Sequence, residues 1–397
     1  MMAGKATFLC PYCYDTSNLS DVEYYCPSCK TYKIIPITIM SRTSNLASQR
    51  CPDCNQTMAA AVCPQCHRKI PEGTLTGKNT IISIVGTRGS GKSHYVGVLM
   101  DELCHRVAPE FNASFVDFGG SQAEWKRKFG KLYDDVAPQA LEATAPGSQE
   151  APLIYEMKVQ RGPLLKLYTF AFFDTAGENF GDEDLMAVIN KYIYMSSGII
   201  CLLDPFQIPD IEERIAQREP AVFAGSSSGA AKTSNISVMS HVSNLIRNYR
   251  GMRSTSKIKT PIALVLTKLD AIASLIQEDS TVLNGSASLG NIDLNDMHNV
   301  DAEIRAFLLR WGEEAFITTV KNDYTNYSFF AVSALGLENH PDADNDRKIK
   351  RPLPHRVEDP FLWILRENGI LGDSRQPNWL QNLKSLPKRW REMIHAR

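Results

Sequence analysis

The sequence predicts an α/β fold built on parallel strands and preceded by two small metal-binding modules. Two observations carry this prediction. Residues 79–85 form a short, apolar, β-branched run that is typical of a buried parallel strand, and a glycine-rich loop and a helical pattern follow it. In addition, eight of the ten cysteines lie in the first 66 residues, and all eight occur in Cys-x-x-Cys pairs.

The glycine-rich loop has the pattern of a phosphate-binding loop. Gly86–Ser93 reads G-x-x-x-x-G-K-S and lies between the predicted strand and a helix predicted for residues 94–107. Its glycines let backbone N–H groups converge on one point, and the helix N-terminus adds partial positive charge there. We expect Lys92 to reach the β- and γ-phosphates and Ser93 to ligate Mg²⁺.

Length and composition narrow the class of protein. The 397 residues allow two or three domains, and 43% hydrophobic and 22% charged residues are ordinary for a soluble globular chain. The net charge of −1 gives no general attraction to nucleic acid or anionic membrane. The N-terminus lacks the apolar region of a signal peptide, and no apolar run approaches the ~20 residues of a spanning helix. We therefore expect a cytoplasmic protein without a transmembrane segment.

The paired cysteines predict two Cys₄ zinc sites. Each Cys-x-x-Cys turn can place two thiolates on one ion, and two turns complete a tetrahedral site that resembles a zinc ribbon. Iron–sulfur clusters and redox disulfides are the alternatives. Sequential pairing of the turns is simpler, but crossed pairing also fits the spacing. The expected Zn²⁺ ligands are Cys10, Cys13, Cys26, Cys29, Cys51, Cys54, Cys63 and Cys66.

The remaining cysteines and His67 are not expected to bind metal. Cys104 and Cys201 fall in a predicted helix and a predicted strand, where buried thiols are common. His67 follows Cys66 directly, but four thiolates already close the site. The ribbons themselves are either purely structural or a docking surface. Their basic residues are scattered, so we favour a protein partner over nucleic acid.

A second phosphate-side motif follows a predicted β-hairpin. Residues 153–159 and 164–173 read as two strands joined by Arg161-Gly162-Pro163, and the second strand ends in Asp174-Thr-Ala-Gly177. An aspartate at a strand end can hold Mg²⁺ through water, and the glycine N–H can contact the γ-phosphate. The order of the motifs predicts a nucleoside triphosphatase.

Two later strand ends predict the choice of base. A strand over residues 258–266 ends in Thr267-Lys268-Leu269-Asp270, and one over 327–332 leads into Ser333-Ala334-Leu335-Gly336. A carboxylate at Asp270 can accept both guanine N1–H and the exocyclic amine, whereas adenine offers no such donor pair. The Lys268 stem is expected to lie over the base plane, and the Ala334 N–H to meet guanine O6.

The chain resembles the translation-factor-class (TRAFAC), Ras-like P-loop GTPases over about residues 79–370. The resemblance is carried by four motifs in this order: GTRGSGKS, DTAGE, TKLD and SAL. The resemblance implies a mixed six-stranded sheet flanked by helices, and a switch between GTP and GDP forms with Mg²⁺. The preceding ribbons and residues 354–363 (PHRVEDPFLW) are similar to those of bacterial "double-GTPase" proteins. That likeness implies a role in a multi-gene signalling or conflict system.

The chain departs from the Ras-like pattern at three positions. Thr267 stands where most such proteins have Asn; dynamin-like members also have Thr there, so we expect the choice of guanine to be kept. Glu178 replaces the water-orienting Gln, so we expect slow intrinsic hydrolysis. Arg88 replaces a loop glycine; it is either an outward side chain or an arginine that acts in cis on the transition state. For the switch threonine that ligates Mg²⁺, we expect Thr144, since Thr169 lies within a strand.

These assignments divide the chain into four parts: zinc ribbon 1 (1–40), zinc ribbon 2 with a linker (41–78), a GTPase domain with insertions (79–372) and a basic amphipathic tail (373–397). Two insertions, residues 208–235 and 275–299, are expected to be mobile from their Gly- and Ser-containing composition. The expected catalytic set is Lys92, Arg88, Glu178 and Thr144, and Mg²⁺ is assigned to Ser93, Thr144 and Asp174. The nucleotide-contacting set is Gly86, Arg88, Gly89, Ser90, Gly91, Lys92, Ser93, His94, Gly177, Thr267, Lys268, Asp270, Ser333, Ala334 and Leu335.

Together these features predict a GTP-binding and GTP-hydrolysing switch whose zinc ribbons dock a protein partner. Hydrolysis would be slow until a partner, or a second protomer in a nucleotide-dependent dimer, assists it. Two alternatives stay open: a guanine-nucleotide-gated scaffold with negligible turnover, and a nucleic-acid binder whose ribbons are gated by nucleotide.

Overall fold

The computed structural model describes residues 7–34, 50–75, 79–87, 89–134, 136–141, 152–161, 164–172, 183–226, 234–338 and 348–371. Within them the predicted α/β fold is confirmed: a large mixed sheet flanked by helices follows a small cysteine-rich region. No helix among these residues is long and apolar enough to cross a membrane.

The cysteine-rich region contains short antiparallel strands. One two-stranded sheet pairs β1 with β2, and a three-stranded sheet has the order β4-β3-β5. Because β5 comes from the second half of this region and pairs directly with β3, the two predicted ribbon segments share one sheet. The strands are β1 (Thr7–Leu9), β2 (Thr16–Asn18), β3 (Glu23–Cys26), β4 (Thr31–Ile34) and β5 (Ala60–Val62).

The large domain alternates strands and helices. Its strands are β6 (Asn79–Gly86), β7 (Ala113–Phe118), β8 (Leu153–Arg161), β9 (Leu164–Phe172), β10 (Gly198–Leu203), β11 (Ile262–Leu266) and β12 (Tyr327–Ala331). The helices, counted from the linker, are α1 (Glu72–Leu75), α2 (Lys92–Glu102), α3 (Ala108–Glu110), α4 (Ser121–Phe129), α5 (Glu183–Tyr194), α6 (Pro209–Arg218), α7 (Pro220–Ser226), α8 (Asn235–Tyr249), α9 (Leu269–Ile272), α10 (Leu294–Arg310), α11 (Glu314–Asp323) and α12 (Asp359–Glu367). A π-helical turn, Leu103–Val107, joins α2 to α3.

The large sheet has seven strands, where the family resemblance implied six. Their order is β12-β11-β10-β6-β9-β8-β7; β8 is antiparallel to β9 and β7 is antiparallel to β8, while the other pairs are parallel. The additional strand is β7, which lies in the long segment after the first helix. It extends the sheet because its whole length pairs with β8, from Ala113 opposite Val159 to Phe118 opposite Ile154.

Both faces of the sheet are buried, and β10 and β11 are apolar and buried at every position. In β10, Ile200 and Leu202 face one core cluster, while Cys201 and its neighbours of the same parity face the other. Helices α2, α4 and α12 cover the first face, and α5, α8 and α11 cover the second. Cys201 is a buried thiol as predicted, and burial raises its pKa to about 12.

The hydroxyl of Tyr192 on α5 is inserted beside the central strand. It donates to the Ile82 carbonyl at 2.6 Å and accepts the Ile84 N–H at 3.2 Å. Among the described residues β6 pairs with β9 over 79–81, and the Tyr192 hydroxyl satisfies two further backbone groups of β6. Helix α5 is thereby fixed to the strand that ends in the phosphate loop.

The cysteine-rich region packs on the same helix. Tyr14 is buried, and its ring lies 5.4 Å from that of Tyr192. Asp15 Oδ1 accepts from Lys191 Nζ at 2.7 Å. On the linker side, the Gly73 N–H donates to Glu156 Oε1 at 2.9 Å. The region is therefore joined to the large domain both at α5 and at the hairpin.

The second insertion is ordered, contrary to the expectation of a mobile loop. Its Ser- and Gly-containing sequence forms a 3₁₀ turn at Thr281–Leu283 and leads into α10, which Asp293 caps by accepting two backbone N–H groups. A buried arginine, Arg356, holds its backbone carbonyls. In the first insertion α6 and α7 are helical, while residues 227–233, like 372–397 of the predicted tail, lie outside the described residues.

Gly198 offers a test of this packing, because a methyl group there would overlap Ile364 Cγ2 of α12. We expect Gly198→Ala to lower the free energy of unfolding by about 1–3 kcal/mol through overpacking. Denaturant unfolding measures this. Gly130→Ala is the matched control, because its Cβ would meet Lys126 Cγ at an ordinary 3.6 Å. Equal stability of both variants would contradict the described packing of α12.

Candidate functional site

The predicted site residues gather at one edge of the sheet. Strands β6, β10, β11 and β12 are parallel neighbours, so their carboxyl ends lie side by side. The phosphate loop follows β6, Asp204 follows β10, Thr267 follows β11, and Ser333 comes two residues after β12. The topology therefore brings the predicted phosphate and base segments to a common edge.

The phosphate loop has the backbone that its glycines permit. Gly89 and Gly91 have φ of 79° and 80°, in the left-handed region that favours glycine. Helix α2 begins at Lys92 directly after Gly91. A methyl group on Gly86 would lie 2.6 Å from Ser90 Oγ and 3.0 Å from the Leu202 carbonyl, so the loop can close only with glycine there.

Two hydroxyls within the loop suit an anionic ligand. Thr87 Oγ1 and Ser90 Oγ are buried, and neither has a hydrogen-bond partner among the residues that the structure describes. Buried polar atoms without partners cost free energy, so they mark places where a bound group supplies the missing bonds. The loop, its hydroxyls and the start of α2 together fit a phosphate chain.

Asp270 and Ser333, both of which the sequence analysis assigns to the base site, are in contact. Ser333 Oγ donates to Asp270 Oδ1 at 2.6 Å and accepts the Gly336 N–H at 3.0 Å. The Leu269 N–H donates to the Val332 carbonyl at 3.1 Å, which joins the two segments through their backbones. These bonds orient the carboxylate. Ala334 is half-buried beside it, and Leu335 is buried.

Lys268 is held by an aspartate that the sequence reasoning did not assign to the site. Its Nζ lies 3.2 Å from Asp204 Oδ1 and 5.1 Å from the centre of the Phe206 ring. Burial raises the pKa of Asp204, and the charge of Lys268 opposes that shift. The signal for Asp204 was present, because an acidic residue ends a buried strand beside the other motifs. Thr267 is buried, and its hydroxyl donates to the Leu203 carbonyl at 3.1 Å.

His94 contacts the residue just before the segment that contains the expected switch threonine, Thr144. The Leu141 N–H donates to His94 Nε2 at 2.9 Å, so the ring presents its unprotonated nitrogen there. Leu141 immediately precedes residues 142–150, which contain Thr144. Thr144, Arg88, Asp174, Gly177 and Glu178 lie outside the described residues, so their roles stay predictions.

All four Cys-x-x-Cys turns have the same backbone. In each, the residue after the second cysteine has a φ between 53° and 58°; these residues are Tyr14, Lys30, Asn55 and His67. Three of the turns have the same pair of backbone hydrogen bonds, and in the first the Tyr14 N–H donates to the Cys10 carbonyl at 3.1 Å. Backbone N–H groups also point at the thiols, as from Tyr12 to Cys10 Sγ at 3.4 Å.

The eight thiols form two clusters of four, each with its sulfur atoms within 4.8 Å of one another. Sulfur–sulfur distances include 3.7 Å (Cys10–Cys66), 3.9 Å (Cys13–Cys63) and 3.5 Å (Cys26–Cys54). A tetrahedral ion with Zn–S bonds near 2.3 Å separates its thiolates by ~3.8 Å. The clusters therefore fit two Zn²⁺ ions. His67 is outside them, and its Nδ1 lies 3.3 Å from Glu23 Oε2.

The pairing of the turns is nested. The first turn joins the fourth (Cys10, Cys13, Cys63, Cys66), and the second joins the third (Cys26, Cys29, Cys51, Cys54). The sequence left sequential and crossed pairing open and made sequential pairing the simpler; the structure shows neither, because its pairing is nested. The reason is the β3–β5 pairing, which brings the second half of the region back against the first.

Metal content tests the nested pairing. Cys13→Ser with Cys63→Ser removes two thiolates from one cluster, so we expect one of two Zn²⁺ ions to be lost. Cys13→Ser with Cys29→Ser takes one thiolate from each cluster and should weaken both ions. Zinc per chain, measured by elemental analysis after mild chelation, distinguishes them. If the pairing were sequential, Cys13→Ser with Cys29→Ser would lose one ion, and Cys13→Ser with Cys63→Ser would weaken both.

Comparisons with known proteins agree with this site. A family model described as Double-GTPase 2 matches residues 80–313, more than half of the chain, from β6 to just beyond α10. A protein of Mycolicibacterium smegmatis described as a proposed ESX-1 scaffolding and assembly protein, SaeC, is 25% identical over 338 residues, which cover 80% of this chain and 82% of the relative. The predicted likeness to double-GTPases is thus confirmed: the chain belongs to the Double-GTPase 2 family, a P-loop GTPase family.

Proposed function

We propose that this protein is a guanine-nucleotide switch that binds and hydrolyses GTP. The observation that carries the proposal is the Asp270–Ser333 hydrogen bond of 2.6 Å at the edge that also holds the phosphate loop. A carboxylate fixed in this way can also accept both donors of guanine, whereas adenine offers it no such donor pair. The Asp270 carboxylate and the phosphate loop would then bind the base and the phosphates of one nucleotide.

In the proposed complex, each segment has one task. Backbone N–H groups of Gly86–Ser93 surround the phosphates, Lys92 neutralises the β- and γ-phosphates, and Ser93 ligates Mg²⁺. The Mg²⁺ would be completed by Thr144 and, through water, by Asp174. Asp204 limits where the Lys268 ammonium can go, which keeps the Lys268 stem along the base plane.

We further propose slow intrinsic hydrolysis that a partner accelerates. Glu178 would place a carboxylate, not an amide, beside the γ-phosphate, and negative charge there opposes the transition state. Arg88 would supply compensating positive charge in cis. A partner or a second protomer would complete the site by ordering these residues.

For the ribbons, we propose docking to a protein partner. The relative from M. smegmatis is described as acting in scaffolding and assembly, which supports a role through protein contacts. The ribbon region reaches α5 through Tyr14 and Asp15, and α5 is the first helix after Gly177 and Glu178. A nucleotide-dependent shift of α5 would therefore move the ribbons. Thiolate zinc sites need reduced cysteines, so we place the protein in the cytoplasm.

Competition binding tests the choice of nucleotide. We expect GTP and GDP to bind at least about 100-fold more tightly than ATP, because adenine forgoes two hydrogen bonds to a charged carboxylate, which together are worth ~3 kcal/mol. Asp270→Ala should erase this preference, and Lys92→Ala should weaken all nucleotides alike. ATP binding as tight as GTP binding would point instead to an ATPase of the same loop type.

Single-turnover hydrolysis tests the arginine of the loop. If Arg88 acts in cis, Arg88→Ala should slow GTP cleavage about tenfold or more without a comparable change in GTP affinity. Arg218→Ala is a control, because this arginine is exposed in the last turn of α6 and belongs to none of the predicted nucleotide segments. An unchanged cleavage rate in Arg88→Ala would assign Arg88 an outward orientation, and no cleavage in the wild type would favour a scaffold.

A further inference from the structure

Arg356 is a buried arginine with an unusual number of partners. Its side chain is 1% exposed, and its backbone φ of 54° is in the left-handed region, which is uncommon for a residue with a side chain. Such a conformation costs about 1–2 kcal/mol and persists where the surroundings enforce it. The residue lies in the PHRVEDPFLW segment, for which the motifs of nucleotide binding give no role.

The guanidinium of Arg356 joins two distant parts of the chain. It donates to Asp296 at 2.7 and 2.9 Å and to Asp359 Oδ2 at 2.8 Å. Its other bonds go to backbone carbonyls of the second insertion, at Asn284 (2.7 Å), Gly285 (3.2 Å) and Thr281 (3.3 Å). A lysine has no planar fork and cannot satisfy this set.

The turn that contains Arg356 is attached to the base segment. His355 and Ser333 exchange backbone hydrogen bonds of 2.8 and 3.1 Å, and the Leu353 N–H donates to the Leu335 carbonyl at 3.1 Å. Gly336 has a φ of 103°, and a methyl group there would lie 2.5 Å from the Leu353 carbonyl oxygen. Ser333, which orients Asp270, is therefore held in place by this turn.

The same turn is also attached to the helix of the phosphate loop. Tyr95 Oη on α2 donates to the Val357 carbonyl at 3.0 Å, and Arg106, in the π-helical turn after α2, pairs with Glu358 at 2.6 Å. His355 Nε2 donates to the Val282 carbonyl at 2.8 Å. Residues 353–359 thus bind the base segment, the phosphate-loop helix and the second insertion at once.

We propose that Arg356 is a positioning residue for the nucleotide site, which fixes the base segment 333–336 relative to the phosphate loop. It touches no nucleotide; it acts through the turn 353–359 and Ser333 on the orientation of Asp270. The inference rests on the proposed guanine binding. The ordered second insertion is, on this account, a support for base recognition.

The test compares GDP with inosine diphosphate, which lacks the exocyclic amine and so offers Asp270 one donor fewer. In Arg356→Lys we expect GDP affinity to fall about tenfold and the preference for GDP over inosine diphosphate to fall with it, because the carboxylate is no longer oriented for two donors. Asp296→Asn is a milder second variant that keeps one of the two acceptor oxygens and removes the charge. Titration calorimetry on the full-length protein measures both quantities.

Arg247→Lys is the matched control. Arg247 is also largely buried, pairs with Asp323 at 2.6 Å, and lies near the start of β12, at the opposite end of the strands. It should lower stability but leave the GDP preference unchanged. If Arg356→Lys and Asp296→Asn both fold and both keep the wild-type preference for GDP, the inference about Arg356 is wrong but the proposed function stands. A wild type without guanine preference would overturn the proposed function and the inference with it.

Discussion

Parallel pairing of β6 with its neighbours is the constraint on which the site depends. Because β6, β10, β11 and β12 point the same way, four segments far apart in sequence end at one edge. Burial on both faces of the sheet fixes the register of these strands, since every side chain of β10 and β11 is buried. Strand direction therefore brings the phosphate loop and Asp270 to one edge, and the turn 353–359 adds contacts to both segments.

The place of several segments in the fold follows from local signals in the sequence. The phosphate loop needs glycine at fixed positions, and the Asp270–Ser333 pair follows from two strand ends that the topology brings together. Four features were not predicted: β7, the nested cysteine pairing, Asp204 and the anchored second insertion. The first two depend on which distant strands pair, as β3 does with β5, and this information is absent from local spacing. The composition of the second insertion suggested a mobile loop. The insertion is held instead by Arg356, about 70 residues later in the chain, and local composition does not reveal such a contact.

Helix α5 links the strand that ends in the phosphate loop to the cysteine-rich region. Helix α5 is fixed to β6 by the Tyr192 hydroxyl and to the ribbon region by the Tyr14 ring and the Asp15–Lys191 pair. If the nucleotide shifts this helix as proposed, its contacts with Tyr14 and Asp15 would pass the movement to the cysteine-rich region. Two bound Zn²⁺ ions would keep that region rigid, because modules of this size commonly depend on a metal for their fold.

The central claim is that one guanine nucleotide engages the loop after β6 and the segments after β11 and β12 together. Hydrogen–deuterium exchange with GDP and Mg²⁺ tests it most directly, because it reports on each segment separately. We predict that exchange slows at residues 86–93, 267–270 and 333–336 in the same concentration range, with a smaller effect in α5. Protection of residues 86–93 without any change at 267–270 and 333–336 would contradict the account.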